Sequence, residues 1–304
     1  MPHNRLVMAD RTTQAPPTVA FAGGALDRAA HLRDDAERLR TSHSSQVIVV
    51  GPDQQIGLEG DGTLARVPAT AVPRDMPLTF LGVERSGAAV FAGDAASEPG
   101  HGFAALRELM SELDPADAAL AAYAVGMVGW HRVNRYCGRS GHATEVEAGG
   151  HRRRCPGCGL VQFPRTDPAV TMLVQSNDKA LLSRRKGAPK HRWSALAGFV
   201  EPGETPEEAV VREAREETGV EITAVKYVTS QPWPFPAALM IGFWAFADPA
   251  GADGAPQPQP SELVEARWWP RAELAEAIQD DRIALPPPGT IGNYLIATWL
   301  AKDS

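Results

Sequence analysis

One segment, GFVEPGETPEEAVVREAREETGV at positions 198–220, restricts the fold more than any other part of this 304-residue chain. Thr205 and Glu208 have the spacing of a capping box, and Pro206 takes the first helical position. Gly219 can adopt the left-handed conformation that ends a helix. The segment therefore predicts a helix whose two ends are both specified by the sequence.

The predicted helix carries three carboxylates on one face, because Glu213, Glu216 and Glu217 lie at positions i, i+3 and i+4. Neighbouring carboxylates repel one another unless a cation draws them together, and ligands that offer only oxygen suit Mg²⁺ or Mn²⁺. Acidic helix faces are also common without a metal ion. Taken alone, the three glutamates do not exclude a solvated face.

The wider pattern resembles the Nudix box, G-x5-E-x7-R-E-U-x-E-E-x-G-U, in which U is a bulky aliphatic residue. Ala214 is smaller than usual at the first U, and eight other positions match: Gly198, Glu204, Arg212, Glu213, Glu216, Glu217, Gly219 and Val220. The resemblance implies an α/β fold, an α/β/α sandwich around a mixed sheet, and hydrolysis of a nucleoside diphosphate linked to another group.

The resemblance also implies a catalytic metal site. Glu213, Glu217 and the backbone carbonyl of Ala197 are the implied ligands, and Glu216 is either a further ligand or the base. Divalent cations would neutralise a pyrophosphate and lower the pKa of a bound water, and one of the three glutamates would accept its proton.

A second motif, SQPWPFP at positions 230–236, holds two aromatic rings among three prolines. Proline fixes φ and lacks a backbone donor, which predicts a stiff, extended ribbon and excludes a helix interior or a central strand. The motif resembles the SQPWPFPxS signature of the NADH pyrophosphatase (NudC-type) branch of the Nudix family, with an alanine in place of the last serine. The resemblance implies substrate contacts at Gln231, Pro232, Trp233, Pro234, Phe235, Pro236, Ala237 and Ala238.

The two rings of this motif suit base stacking, although isolated aromatics are more often core residues. Three further stretches are similar to the same branch. They are GLVQFPRTDPAV at 159–170, PSELVEARWW at 260–269 and LPPPGTIG at 285–292. The resemblance places Phe163 and Gly292 at substrate positions, and Glu262 at the position of a further metal ligand. Arg107 is an additional candidate for a substrate contact.

The three cysteines of the chain lie where this branch usually has a four-cysteine zinc ribbon. The four corresponding residues are Cys137, Ser140, Cys155 and Cys158. Because a serine hydroxyl stays protonated, a metal-free hairpin held by packing is slightly favoured. The alternative is a Cys3His zinc site that His142 or His151 completes.

We predict three parts: a smaller N-terminal α/β domain at 1–130, a degenerate zinc-ribbon linker at 131–164 and a Nudix domain at 165–304. In the first part, QVIVV, LTFLGVE and AAVFAGD read as strands. HGFAALRELMSEL, from His101, has helical spacing, and Asp114-Pro115 opens a second helix.

Charge and hydropathy indicate a soluble cytoplasmic protein without a membrane partner. The longest apolar stretch, at 118–130, is too short to cross a bilayer, and the first ten residues lack the apolar run of a secretory signal. The net charge of −7 argues against a general nucleic-acid binder. A solvated turn is favoured for HRRR at 151–154, and a phosphate contact is the alternative. The family resemblance implies a homodimer.

We therefore expect a Mg²⁺- or Mn²⁺-dependent NAD(H) diphosphatase that forms AMP and nicotinamide mononucleotide, and NAD-capped RNA is a second implied substrate. Another nucleoside diphosphate derivative (ADP-ribose, FAD or a diadenosine polyphosphate) is an alternative. A non-catalytic Nudix-fold sensor would be expected to lose the box glutamates, which are all present. A nucleic-acid-binding zinc ribbon fits neither the missing cysteine nor the net charge.

Overall fold

The computed structural model describes residues 19–95, 102–248 and 255–301. In its N-terminal part the strands are β1 (Gln46–Val50), β2 (Gln55–Leu58), β3 (Val67–Pro68), β4 (Leu78–Val83), β5 (Ala89–Asp94) and β6 (Gly102–Ala105). The described residues form one sheet in the order β4-β5-β1-β2-β6, and β3 pairs with β1. β1 and β5 are parallel, and the other pairs are antiparallel.

Two helices accompany this sheet, α1 (Ala36–Arg40) and α2 (Pro115–Val133). The carboxylate of Asp114 caps α2 by accepting a hydrogen bond from the Ala116 N–H at 2.9 Å, as the Asp-Pro pair predicts. The apolar face of α2 packs on β1, β4 and β5 and forms the first core.

The helix predicted from His101 is wrong. His101 itself lies outside the described residues, and 102–105 form β6, which pairs with the edge of β2. The apolar spacing is satisfied differently, because Leu106 and Leu109 are buried by a short 3-10 turn at Glu108–Ser111. Sheet pairing here satisfies the backbone groups of β2 and overrides the helical periodicity.

A small sheet follows, with β7 (Glu145–Glu147), β8 (Arg152–Arg154) and β9 (Val161–Gln162) in that order. The solvated turn predicted for HRRR is wrong. His151 is bonded to the Phe80 carbonyl at 2.7 Å, and Arg153 donates to the Thr144 hydroxyl at 2.6 Å, so both side chains are buried. Satisfied hydrogen bonds allow these polar groups to be buried.

The C-terminal part contains β10 (Asp167–Ser176), β11 (Lys179–Arg185), β12 (Leu196–Phe199), β13 (Ile222–Trp233), β14 (Ala238–Ala247) and β15 (Leu263–Pro270). Among the described residues the sheet order is β13-β14-β10-β11-β15, and β12 pairs with β10. β10 and β14 are parallel and the other pairs antiparallel, so the sheet is mixed as predicted.

Helices cover both faces of this second sheet: α3 (Pro206–Thr218) on one, and α4 (Arg271–Gln279) and α5 (Ile291–Leu300) on the other. Alternate residues of β10 explain this arrangement, since Met172 packs in the core under α3 and Leu173 packs in the core under α5. The α/β/α sandwich is therefore confirmed.

SQPWPFP forms the end of β13 and the turn into β14, with Pro232 opposite Leu239 and Trp233 opposite Ala238. β13 lies at the edge of the sheet, where the missing N–H of a proline does not remove a hydrogen bond between two central strands. The predicted extended ribbon is confirmed for Ser230–Trp233, whereas Pro234, Phe235 and Pro236 form a turn. In the described part of the chain, every helix is too short or too polar to cross a membrane.

Candidate active site

Helix α3 has both of its predicted caps. The Thr205 hydroxyl accepts from the Glu208 N–H at 3.2 Å, and the Glu208 carboxylate accepts from the Thr205 N–H at 2.7 Å. Gly219 ends the helix at φ 71°. Val210 and Ala214 are fully buried against the sheet, which fixes the rotation of α3 and turns the glutamate face towards β12.

The carboxylate of Glu213 lies directly on the backbone of Gly198 in β12. A Cβ atom at position 198 would come within 1.9 Å of Glu213 Oε1 and 2.0 Å of its Cδ. No side chain larger than glycine fits there without moving the carboxylate. This contact gives a physical reason for the first glycine of the motif.

Glu217 is the buried acid of the site, with 2% of its area exposed. Burial raises the pKa of this carboxyl to about 7, against the opposing effect of Arg185; Glu213 and Glu262 raise it further by repulsion. Its Oε2 atom is buried without a hydrogen-bond donor among the described residues. An oxygen in that position suits a cation.

Glu262 lies close enough to Glu217 to share a proton with it, and its repulsion is one cause of the raised pKa of Glu217. The Lys186 N–H donates to the Glu262 carbonyl at 2.9 Å, which anchors this loop to the end of β11. The carbonyl of Ala197, in β12 beside Gly198, lies near Glu217, because one nitrogen of the Arg185 guanidinium bonds both groups. The predicted ligands Ala197, Glu213, Glu217 and Glu262 thus border one region, but among the described residues only the three cysteines lie close enough together to form a ready metal-binding group.

Arg212 connects the remaining acids. Its guanidinium bonds Glu213 at 2.9 Å and Glu216 at 3.0 Å, and it forms a fork with Glu204 at 2.8 and 2.9 Å. It also donates to the Phe199 carbonyl at 2.9 Å. The bonds to Glu204, first, and to Glu213 and Glu216 raise the pKa of Arg212. The Glu204–Arg212 spacing of the Nudix box is the sequence signal for the fork with Glu204.

Arg185 is a site residue that the sequence analysis missed. Its guanidinium donates to the Ala197 carbonyl and lies 3.3 Å from Glu217 Oε1. The sequence contains no signal for this contact, because an arginine at the end of a strand is ordinary.

The ribbon residues border a different space. A cavity of about 850 Å³ lies between the N-terminal part and the ribbon. Five predicted substrate residues line it, namely Pro232, Trp233, Pro234, Ala237 and Ala238. The lining also includes Phe21, Tyr123 and Arg28, whose guanidinium lies 3.9 Å from the Tyr123 ring centroid.

The two rings of the ribbon also pack against the N-terminal core. Trp233 and Phe235 meet edge to face with centroids 5.1 Å apart, and Phe21 lies 5.8 Å from Phe235. The Arg107 guanidinium lies 5.3 Å and 4.9 Å from the two ring centroids. Trp233 therefore contributes to both the packing and the cavity wall, and its stacking role stays a prediction.

The structure does not bring the other predicted substrate residues to this cavity. Gln231 is fully buried, donating to the carbonyls of Ala20 and Gly289 at 3.0 and 2.8 Å and accepting from the Ile291 N–H at 2.9 Å. Phe163 is 66% exposed. Three others lie outside the lining as well: Phe235, Pro236 and Gly292.

The three cysteines cluster as a ribbon would place them. The Sγ atoms of Cys137, Cys155 and Cys158 lie within 4.8 Å of one another, and the Ser140 hydroxyl lies 3.2 Å from the Cys155 sulfur. Hydrogen bonding to Ser140 is the main reason why the pKa of Cys137 falls to about 6. His142 contacts Ser140 at 3.2 Å, whereas His151 is bonded to Phe80 and does not serve as the fourth ligand.

Three family models match consecutive parts of the chain. They are the NADH pyrophosphatase-like rudimentary NUDIX domain at residues 29–130, the NADH pyrophosphatase zinc ribbon domain at 129–163 and the NUDIX domain at 165–286. A solved NUDIX hydrolase from Nitrosomonas europaea covers 46% of this chain with a TM-score of 0.37 and 24% identity, too low to add to the assignment.

Curated relatives cover more of the chain. The NAD-capped RNA hydrolase NudC of Mycobacterium bovis is 33% identical over 298 residues, which is 91% of this chain and 93% of that protein. NudC of Stutzerimonas stutzeri is 39% identical over 68% of this chain and 71% of its own length. Human NAD-capped RNA hydrolase NUDT12 is 36% identical over 62% of this chain and 43% of its own. As the two sequence motifs predict, the chain belongs to the NADH pyrophosphatase (NudC-type) branch of the Nudix hydrolases.

Proposed function

We propose that this protein is a divalent-metal-dependent NAD(H) diphosphatase that releases AMP and nicotinamide mononucleotide, and that NAD-capped RNA is a second substrate. The observation that carries the proposal is the carboxylate cluster beside β12, in which a buried Glu217 oxygen has no donor partner among the described residues. The substrate class is supported by the printed functions of the relatives and by the aromatic ribbon.

The donor set fits Mg²⁺ or Mn²⁺, because every contributing atom is a carboxylate or carbonyl oxygen. In our proposal the Ala197 carbonyl, Glu213, Glu217 and Glu262 hold the metal. Bound there, the metal would supply charge neutralisation for the pyrophosphate and a water of lowered pKa. The burial of Glu217 and its repulsion by Glu213 and Glu262 are costs that a divalent cation would offset.

Exposure separates the roles of the three α3 glutamates. The side chains of Glu213 and Glu217 are 13% and 2% exposed, which suits ligands that are held rigidly. Glu216 is 58% exposed and is restrained by Arg212. We assign Glu216 as the group that accepts the proton of the attacking water or as an outer ligand, while Arg212 positions the acids.

The cavity at the ribbon supports a nucleotide-binding role for that region. Its volume of about 850 Å³ lies within the range of small-molecule sites, and Trp233 and Tyr123 offer aromatic surface. We propose substrate contacts by the five ribbon residues that line it. Phe163, Gln231, Phe235, Pro236, Gly292 and Arg107 stay predictions.

The remaining parts of the proposal are coarser. We keep the domain boundaries 1–130, 131–164 and 165–304, a homodimer and a cytoplasmic location as predictions. Light scattering tests the dimer.

The match to a zinc ribbon model and the three clustered thiols support a zinc-binding segment in which Ser140 is a poor fourth ligand.

Product analysis tests the function. Purified protein is incubated with Mn²⁺ and NADH, and the products are separated by chromatography, with ADP-ribose and FAD in parallel. AMP and nicotinamide mononucleotide as the preferred products support the proposal, and preference for ADP-ribose or FAD would replace it with the alternative substrate class. Glu217→Gln is the control for metal-dependent turnover.

A second arm tests the RNA substrate. NAD-capped RNA and the same RNA with a 5′ triphosphate are compared for release of nicotinamide mononucleotide and loss of the cap. Cleavage of the capped RNA alone is expected. Failure to cleave it, with NADH still hydrolysed, would remove RNA from the proposal. Absence of hydrolysis with all substrates would favour the sensor alternative.

A further inference from the structure

Arg185 makes contacts that the proposed metal needs. Its guanidinium donates to the Ala197 carbonyl and lies 3.3 Å from Glu217 Oε1, and both groups are ligands in the proposed function. The Glu217 side chain is 2% exposed, so its contact with Arg185 is largely shielded from water. One guanidinium thus joins a strand carbonyl and a helix carboxylate that the metal would also join.

The local backbone aims Arg185 at this position. It is the last residue of β11, and the pairing with β15 shifts register between Arg184 and Arg185, so that Val264 is skipped. Such an irregularity redirects the side chain that follows it. The side chain of Arg185 is 47% exposed, which leaves it free to move into solvent.

The guanidinium already bonds the Ala197 carbonyl, which is a ligand in the proposed function, and a guanidinium and a divalent cation repel each other at contact range. Arg185 also opposes the repulsion among Glu213, Glu217 and Glu262. We propose that Arg185 is an internal competitor for the catalytic metal: it neutralises the acids before the metal binds and is displaced when the metal binds. This inference rests on the proposed function for the identity of the ligands.

The inference predicts that removing the guanidinium tightens metal binding. Mn²⁺ affinity is measured by isothermal titration calorimetry on the full-length protein and on Arg185→Gln and Arg185→Lys. We expect Arg185→Gln to bind Mn²⁺ about tenfold more tightly, from the lost repulsion. Lysine keeps the positive charge but lacks the planar guanidinium, so we expect an affinity between the two.

Arg184→Gln is the matched control, since it removes the same charge one residue away. Arg184 bonds Glu265 at 3.1 Å and makes none of the described contacts with the metal cluster. We expect its Mn²⁺ affinity to stay within about twofold of the parent protein, because the repulsion falls with distance.

Thermal unfolding provides a second readout that needs no turnover. In EDTA, Arg185→Gln should melt below the parent protein, because its acids lose their cation. In saturating Mn²⁺ that deficit should disappear. Equal or weaker Mn²⁺ affinity in folded Arg185→Gln, or an equal deficit in both conditions, would overturn the inference. NADH hydrolysis by the parent protein is measured separately. The proposed function and the proposed competition between Arg185 and the metal can therefore be refuted independently.

Discussion

The close approach of Glu213 to Gly198 leads to a sharp prediction for Gly198→Ala. The added methyl carbon would lie 1.9 Å from Glu213 Oε1, whereas ordinary contacts begin at 3.4 Å, so the carboxylate must retreat by about 1.5 Å. The Arg212–Glu213 bond at 2.9 Å opposes that movement. Misplacing a reacting group by about 1 Å costs roughly 100-fold, so we expect kcat/KM for NADH to fall at least that far.

Two measurements separate a local effect from unfolding. Hydrolysis of NADH is followed at saturating Mn²⁺, and circular dichroism reports the melting temperature. Gly129→Ala in α2 is the matched control, because no atom lies within 4 Å of its added Cβ. We expect near-normal turnover in the control and a folded protein in both variants.

A double-mutant comparison then tests the proposed cause. On a Glu213→Ala background the added methyl group has room, so Gly198→Ala should change Mn²⁺ affinity by less than about twofold. On the parent background it should weaken Mn²⁺ binding clearly. Equal losses on both backgrounds, or full activity of Gly198→Ala, would refute the reasoning.

Glu216→Gln and Glu217→Gln should each lower kcat by about 100-fold or more without unfolding the protein, and near-normal turnover of either variant would remove its assigned role. Ser140→Cys should raise zinc, measured by mass spectrometry, to one per chain, whereas the parent protein should contain less; stoichiometric zinc in the parent protein would contradict this. Burial and then Arg153 lower the pKa of His131 to about 4, so the neutral ring is the folded form. Because the unfolded histidine binds its proton near pH 6.5, the free energy of unfolding should decrease by up to about 3 kcal/mol as the pH falls from 6.5 to 4. His131→Gln should lack that component in urea titrations, and an unchanged pH slope would contradict it.

Local sequence signals predicted the capped helix and the strands QVIVV, LTFLGVE and AAVFAGD correctly, because each of them depends on neighbours within a few residues. The capping box at Thr205 and the glycine cap at Gly219 are such signals. The box also predicted the cluster of Glu213 and Glu217, although periodicity alone left a solvated face open. Family resemblance, and not spacing, supplied Ala197 and Glu262.

Contacts that depend on sheet register were not predictable in this way. Arg185 reaches Ala197, 12 residues away, and Glu217, 32 residues away, only because β11 and β12 adopt one particular arrangement. The segment after His101 is a second example. Its apolar residues have helical spacing, but its first residues pair with the edge of β2 and form a strand. The prediction for HRRR was wrong because the side chains of His151 and Arg153 are buried, where His151 is bonded to the Phe80 carbonyl and Arg153 donates to the Thr144 hydroxyl.

The buried amide of Gln231 has a consequence for dividing this protein into fragments or chimeras. It ties Ala20 to Gly289 and the start of the last helix, and the neighbouring rings of Trp233 and Phe235 rest on Phe21. A fragment that starts at residue 165 would lose one acceptor for that amide and expose both rings to water. Chimeras with relatives should therefore exchange the segment around Ala20 together with the catalytic half. The boundary in the sequence near residue 165 does not coincide with a boundary in the side-chain packing.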